Sequence, residues 1–139
     1  MNFKNLFLIL FSFFFTSALF AQQNQPNLQD PQKQIILKPT VVVEDLAFAY
    51  TTLGNVEIVG NEVESFLGCK TMIEGFIKTA QTSNKKPGDT LVVEMPLLTA
   101  QNLINLLNRA RITGAQAEQY KRFVDAIVES GKNIRNQSR

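Results

Sequence analysis

The sequence predicts a mostly α fold: two αα-hairpins packed as one small helical domain, with short extended segments that pair as a small sheet. Three observations carry that expectation. Apolar residues recur at three- and four-residue spacing over several stretches, the signature of a buried helical face. Turn-forming residues separate those stretches at Gly54-Asn55 and across 81–89. β-Branched runs occur only as short pieces, ahead of the first and third helical stretches.

The chain opens on a different kind of segment. Lys4 precedes the apolar run Leu6 to Phe15, and Ser17-Ala18-Leu19-Phe20-Ala21 follows. A basic n-region, a short apolar h-region and a small-residue exit are what the export machinery and signal peptidase read in order. Residues 1–21 are therefore expected to be a signal peptide cleaved after Ala21, with cleavage after Ala18 as the alternative. The run is short for a membrane span, which takes about 20 apolar residues. No cysteine follows either site, which argues against a lipid anchor. The style of the leader points to a bacterial exported protein, placed in the periplasm or the medium.

Removing the leader changes what composition means. Seven of the eleven Phe lie within it, at 3, 7, 11, 13, 14, 15 and 20, so the domain is lean in aromatics and holds no Trp. From the 139-residue chain about 118 remain, enough to bury one core. Loss of Lys4 leaves 13 basic against 12 acidic residues, too small an excess to point to nucleic acid.

Residues 22–34 are amide-rich and interrupted by Pro26 and Pro31, a composition expected to form a disordered tether. The helical domain is expected over 35–131. Ile35-Ile36-Leu37 and Val41-Val42-Val43, broken by Pro39, read as an edge strand or extended lead-in. Leu46, Ala49, Tyr50 and Leu53 then share one helical face, stopped by Gly54-Asn55. Asn61 and Glu64 have capping-box spacing ahead of a helix carrying Val63, Phe66, Ile73, Phe76, Ile77 and Ala80. Residues 81–89 read as a loop, and Thr90 to Met95 as a strand.

Thr99 is the expected cap of a helix with Leu103, Ile104, Leu106, Leu107 and Ala110. A second box, Thr113 with Gln116, opens the last helix. Tyr120, Phe123, Val124, Ile127 and Val128 line one side of it, and Gly131 is its expected exit. Residues 132–139 are expected to be a flexible basic tail.

Sliding the chain by 54 residues aligns Leu53 with Leu107, Ile58 with Ile112, Gly60 with Gly114, Glu64 with Glu118 and Ile73 with Ile127. Two readings fit: an internal duplication with a pseudo-twofold axis, or two unrelated hairpins that need similar corners. Both give the same architecture.

The chain contains no His, which removes the usual general base at neutral pH, His-activated nucleophiles and most zinc sites. Glu44 with Asp45, or Glu62 with Glu64, stand too close in sequence to face one another across a substrate. No catalytic residue, cofactor or metal site is assigned, and the protein is expected not to be an enzyme. Cys69 stands alone, read as a buried small hydrophobe, with interchain pairing or a reactive thiol as alternatives.

Gly68 and Gly75, seven apart in one helix, imply close approach of another backbone: a tight helix crossing, or a groove for a partner or an apolar ligand. Acidic residues Glu44, Asp45, Glu57, Glu62 and Glu64 cluster early, whereas Arg109, Arg111, Lys121 and Arg122 lie late. Such clusters read as solvated faces, a head-to-tail self-contact or a docking patch. The candidate interaction surface is Gly68, Gly75, Arg109, Arg111, Lys121 and Arg122. The functional expectation is a non-enzymatic exported interaction module, an accessory subunit of a bacterial cell-envelope complex that binds another envelope or secreted protein or a second copy of itself. The rival is a periplasmic carrier or sensor of a small apolar ligand.

Overall fold

In the computed structural model, which describes residues 34–137, the β-branched runs become strands β1 (Ile36–Leu37) and β2 (Thr40–Val42), and the 90–95 run becomes β3 (Thr90–Val92) and β4 (Met95–Pro96). β1 pairs antiparallel with β4, Leu37 opposite Met95, and β2 with β3, Val41 opposite Leu91. One register runs through both pairs, so they form a single two-stranded ribbon. Its break lies at Pro39, which has no N–H; Val93 still donates to the Pro39 carbonyl at 3.1 Å, but nothing returns the bond. The signal peptide at 1–21 and the tether at 22–34 lie outside the described residues, apart from Gln34.

Odd-numbered ribbon residues point inward. Leu37, Pro39, Val41, Val93 and Met95 are buried, as period-two alternation requires. Above them lie α1 (Val43–Leu53), α2 (Val63–Thr82), α3 (Leu97–Leu107) and α4 (Ala117–Gln137), with 3₁₀ turns at Gly60–Glu62 and Gly114–Gln116. Leu46, Leu53, Ile73, Leu103, Leu107, Phe123 and Ile127 fill the space between the two hairpins. Truncating one such side chain to Ala typically costs about 2–5 kcal/mol. The mostly α expectation, with short paired strands, holds.

Each half has the same order of elements, and every helix start is offset by 54 residues: helix 43–53 against 97–107, 3₁₀ turn 60–62 against 114–116, and the long helices from 63 and 117. The hydrogen bonds follow. Val43 donates to the Asp89 carbonyl at 2.9 Å and its counterpart Leu97 to that of Ile35 at 2.8 Å. Exchanging the halves turns each ribbon pair into another, Leu37–Met95 into Leu91–Val41. Under this exchange the Pro39–Val93 pair maps onto itself, so a pseudo-twofold axis relating the halves crosses the ribbon there. The common offset of the helix starts favours duplication, although α1 packs on α2 far more closely than α3 does on α4.

Several boundaries differ from expectation. The first capping interaction is not Asn61 with Glu64; the Glu62 carboxylate accepts from the Val59 N–H at 3.0 Å, one 3₁₀ turn earlier. Its counterpart, Gln116 accepting from the Thr113 N–H at 3.0 Å, is the expected second box. Helix α3 begins at Leu97, with Pro96 before it and no side-chain cap, so Thr99 lies inside the helix. Pro96 sets the turn through its fixed φ.

Helix α2 runs through Gln81 and Thr82 and ends in a Schellman motif. Lys85 N–H bonds the Ala80 carbonyl and Asn84 N–H that of Gln81, with Asn84 at φ 53°. Asparagine tolerates that left-handed conformation better than most residues. Gly131 does not end α4, which continues to Gln137; residues of the expected tail are helical that far. A helix-interior glycine costs only about 1 kcal/mol, which the preceding amphipathic turns absorb.

Candidate functional site

The late basic residues meet the early acidic ones inside the domain. Arg122 on α4 reaches α1, donating from Nε to Asp45 Oδ2 at 2.7 Å and from Nη2 to Asp45 Oδ1 at 2.6 Å and Glu44 Oε1 at 2.7 Å. Asp45 is wholly buried. Its bonds raise the Arg122 guanidinium further above its already high value. Arg109, past the end of α3, donates to Glu62 Oε1 at 2.5 Å and to the Glu57 carbonyl. The Arg109 bond, then that from Val59, holds the Glu62 carboxyl below its usual range. The charge separation in the sequence is thus largely an intramolecular contact rather than two solvated faces.

The candidate surface residues divide accordingly. Lys121 pairs with Asp125 along α4, and Arg122 is committed to α1. Neither shares a contact with Arg109 or Arg111 among the described residues. Gly68 and Gly75 are exposed, and a Cβ built on either meets nothing within 4 Å. The tight-crossing expectation is overturned: no backbone approaches either glycine.

What the fold does bring together is a polar cleft along the seam between α2 and α3. Asn61, Glu62 and Ser65 line one wall, and Asn102, Asn105, Leu106 and Arg109 the other, around about 130 Å³. Arg109 also borders a second groove of about 500 Å³, with Asn55, Glu57, Ile58, Val59 and Arg111, between the two hairpin corners. Gly68 lies one helical turn from Ser65, on the same α2 face.

The pseudo-twofold axis supplies an internal comparison. The equivalent seam, between α4 and α1, carries Arg122 where the open seam has Gly68, Asp45 where it has Thr99, and Phe48 where it has Asn102. Phe48 and Asp45 are buried, whereas Asn102 lines the cleft. Glu44, held by Arg122, corresponds to Leu98, which is 68% exposed. Two seams built on one plan therefore differ: one carries a buried aromatic ring and the Arg122–Asp45 pair, and the other, bridged at one end by Arg109 and Glu62, carries small and amide side chains at those positions.

Periodicity did not single out Asn61, Ser65, Asn102 and Asn105, because polar residues on a helix surface carry no periodic signal. The 54-residue frame held the clue, since Phe48 against Asn102 and Arg122 against Gly68 are departures at demanding positions. Chemically, the amides offer donors and acceptors of one geometry. Both carboxylate pairs considered for catalysis have members tied to arginines.

The fold and cleft define a small helical domain of two pseudo-symmetric hairpins over a two-stranded ribbon, with one open seam. No family model, no curated protein and no solved structure matches the chain. Among the described residues, no helix is long and apolar enough to cross a membrane.

Proposed function

We propose that the protein is a non-enzymatic exported interaction module, an accessory subunit of a bacterial envelope complex that receives another envelope or secreted protein on its α2–α3 seam. One observation carries the reading: at equivalent positions the α4–α1 seam carries buried Phe48 and the Arg122–Asp45 pair, whereas the α2–α3 seam carries Asn102, Gly68 and Thr99 beside a polar cleft. A helix-interior glycine at 68 and exposed Leu98 reduce stability or solubility without serving internal packing. Asparagine amides suit the donors and acceptors of a protein surface, and the leader at 1–21 supports export. The space between the hairpins, where an apolar ligand would lie, is occupied by Leu46, Leu53, Ile73, Phe123 and their neighbours.

Crosslinking of tagged protein in its own cells tests this, using seam variants that copy the side chains of the closed seam. The expected result is recovery of one defined protein by the unaltered chain and its loss with Gly68→Arg or Asn102→Phe. Recovery of no other protein, or recovery indifferent to both substitutions, would sink the proposal.

A further inference from the structure

Main-chain hydrogen bonding along the ribbon exposes a second open feature. The bonds Leu97 N–H to Ile35 C=O, Val93 N–H to Pro39 C=O and Val43 N–H to Asp89 C=O place the odd-numbered residues in the hydrogen-bonded pairs. The alternation of an antiparallel ladder then turns the N–H and C=O of even-numbered residues outward, to the ribbon's two edges. At one edge α4 packs against β1 and β2, and Ser130 Oγ accepts from the Lys38 N–H at 2.9 Å.

The pseudo-equivalent edge is bare. Val92 corresponds to Lys38 and Phe76 to Ser130, so the side chain that would answer the Val92 N–H has no acceptor. Helix α2 packs on α1 and α3 and has no comparable packing on the ribbon. Among the described residues nothing bonds the outward main chain of Thr90, Val92 or Glu94. All three are exposed, Val92 at 61%.

We propose that this edge pairs with the same edge of a second copy, antiparallel about Val92, to make a four-stranded sheet across a twofold axis. An unpaired extended edge is satisfied by another extended main chain. The segment is compatible with itself: Val92 meets Val92, and each Glu94 meets Thr90, so no like charges oppose. Such a contact is isologous and closes at two copies. A two-stranded ribbon is marginal alone, and two further strands extend its ladder. This inference is independent of the α2–α3 seam.

The test uses the purified protein. Sedimentation at rising concentration should show the mass moving from one chain to two. Val92→Lys, which sets two ammonium groups face to face, and Val92→Pro, which removes only an outward donor, should both hold the protein at one chain with unchanged helical circular dichroism. If Val92→Pro fails to fold, Val92→Lys decides.

In a Cys69→Ala background, Val92→Cys should oxidise to a covalent dimer, since opposed hydrogen-bonded residues lie about 5.5 Å apart at Cα, within disulfide reach. Thr40→Cys, opposite Val92 on the neighbouring strand, is the control. Across the axis its two copies stand three strand spacings, about 14 Å, apart and should not oxidise together. A protein that stays a single chain at every concentration, a dimer that ignores Val92→Lys, or Thr40→Cys crosslinking as fast as Val92→Cys would each overturn the proposal. Pairing with a foreign strand alone would appear as the first of these.

Discussion

Arg122 grips Asp45 with two parallel hydrogen bonds, Nε to Oδ2 and Nη2 to Oδ1, and so ties the first turn of α1 to the second turn of α4. The pairing is asymmetric in exposure: the carboxylate is wholly buried, while the Arg122 side chain is 45% exposed. The bidentate geometry makes this a strong, directional contact at the N-terminal end of α1.

That asymmetry sets the first prediction. Arg122→Gln leaves a buried carboxylate without its cation, so its denaturation midpoint should fall further than that of Lys121→Gln, whose exposed i,i+4 pair contributes little. Asp45→Asn combined with Arg122→Gln should recover part of the loss, because the uncompensated charge is gone. A double-mutant cycle in urea measures the coupling. Equal midpoints for the two single variants would show that Asp45 finds other solvation.

Gly68 and Gly75 give a prediction of opposite sign. With open space at both Cβ positions, Gly68→Ala and Gly75→Ala should each stabilise the domain by about 0.5–1 kcal/mol, the usual helix-interior difference. Urea midpoints check it. Loss of stability in either variant would restore the close-packed crossing that the geometry rejects.

Glu62 makes stability depend on acid. Its folded pKa lies below the ordinary carboxylate value, first through Arg109 and then through the Val59 N–H. A depressed carboxylate contributes stability that is present above the unfolded value, about 4.3, and is lost as pH falls through the folded one. The midpoint difference between the unaltered protein and Glu62→Gln should therefore be constant near neutrality and vanish in acid. A difference that persists unchanged at low pH would mean the Arg109 contact is not ionic in origin.

Helix faces were legible because their signal is repeated: Leu46 with Leu53, or Phe123 with Ile127, each support the period. Ends were less so. Thr99 looked like a cap because hydroxyls usually are, yet the ribbon extends through Pro96 and the helix starts there instead. Gly131 carried a stop signal that the amphipathic turns of α4 override. The internal frame showed in Ile58 with Ile112 and Gly60 with Gly114, and the structure extends it to the starts of all four helices. Seam and edge were invisible for a different reason: an asparagine or an exposed valine is ordinary until the position it occupies can be compared with a filled counterpart.

Cys69 allows that comparison to be made with a single reactive atom. It corresponds to Phe123, and both side chains are wholly buried, so the thiol serves as a small core group. Its Sγ lies 3.7 Å from the Thr99 carbonyl, a hydrogen-bonding contact open to the thiol and not the thiolate. Burial pushes the Cys69 pKa from 9.0 up to about 11, so at a given pH below 9 the thiolate fraction falls by about a hundredfold. Native protein at pH 8 should accordingly react with a disulfide reagent only at the rate of unfolding or local opening, and urea should restore full reactivity. A raised acid pKa contributes stability that is intact below the unfolded value and is lost as pH climbs through the folded one. Relative to Cys69→Ala, the protein should therefore lose stability between about pH 9 and 11 and not below that range. Fast labelling of the folded protein at pH 8 would mean that α2 lifts from α3 at this point, and would place the open seam, rather than the core, around Cys69.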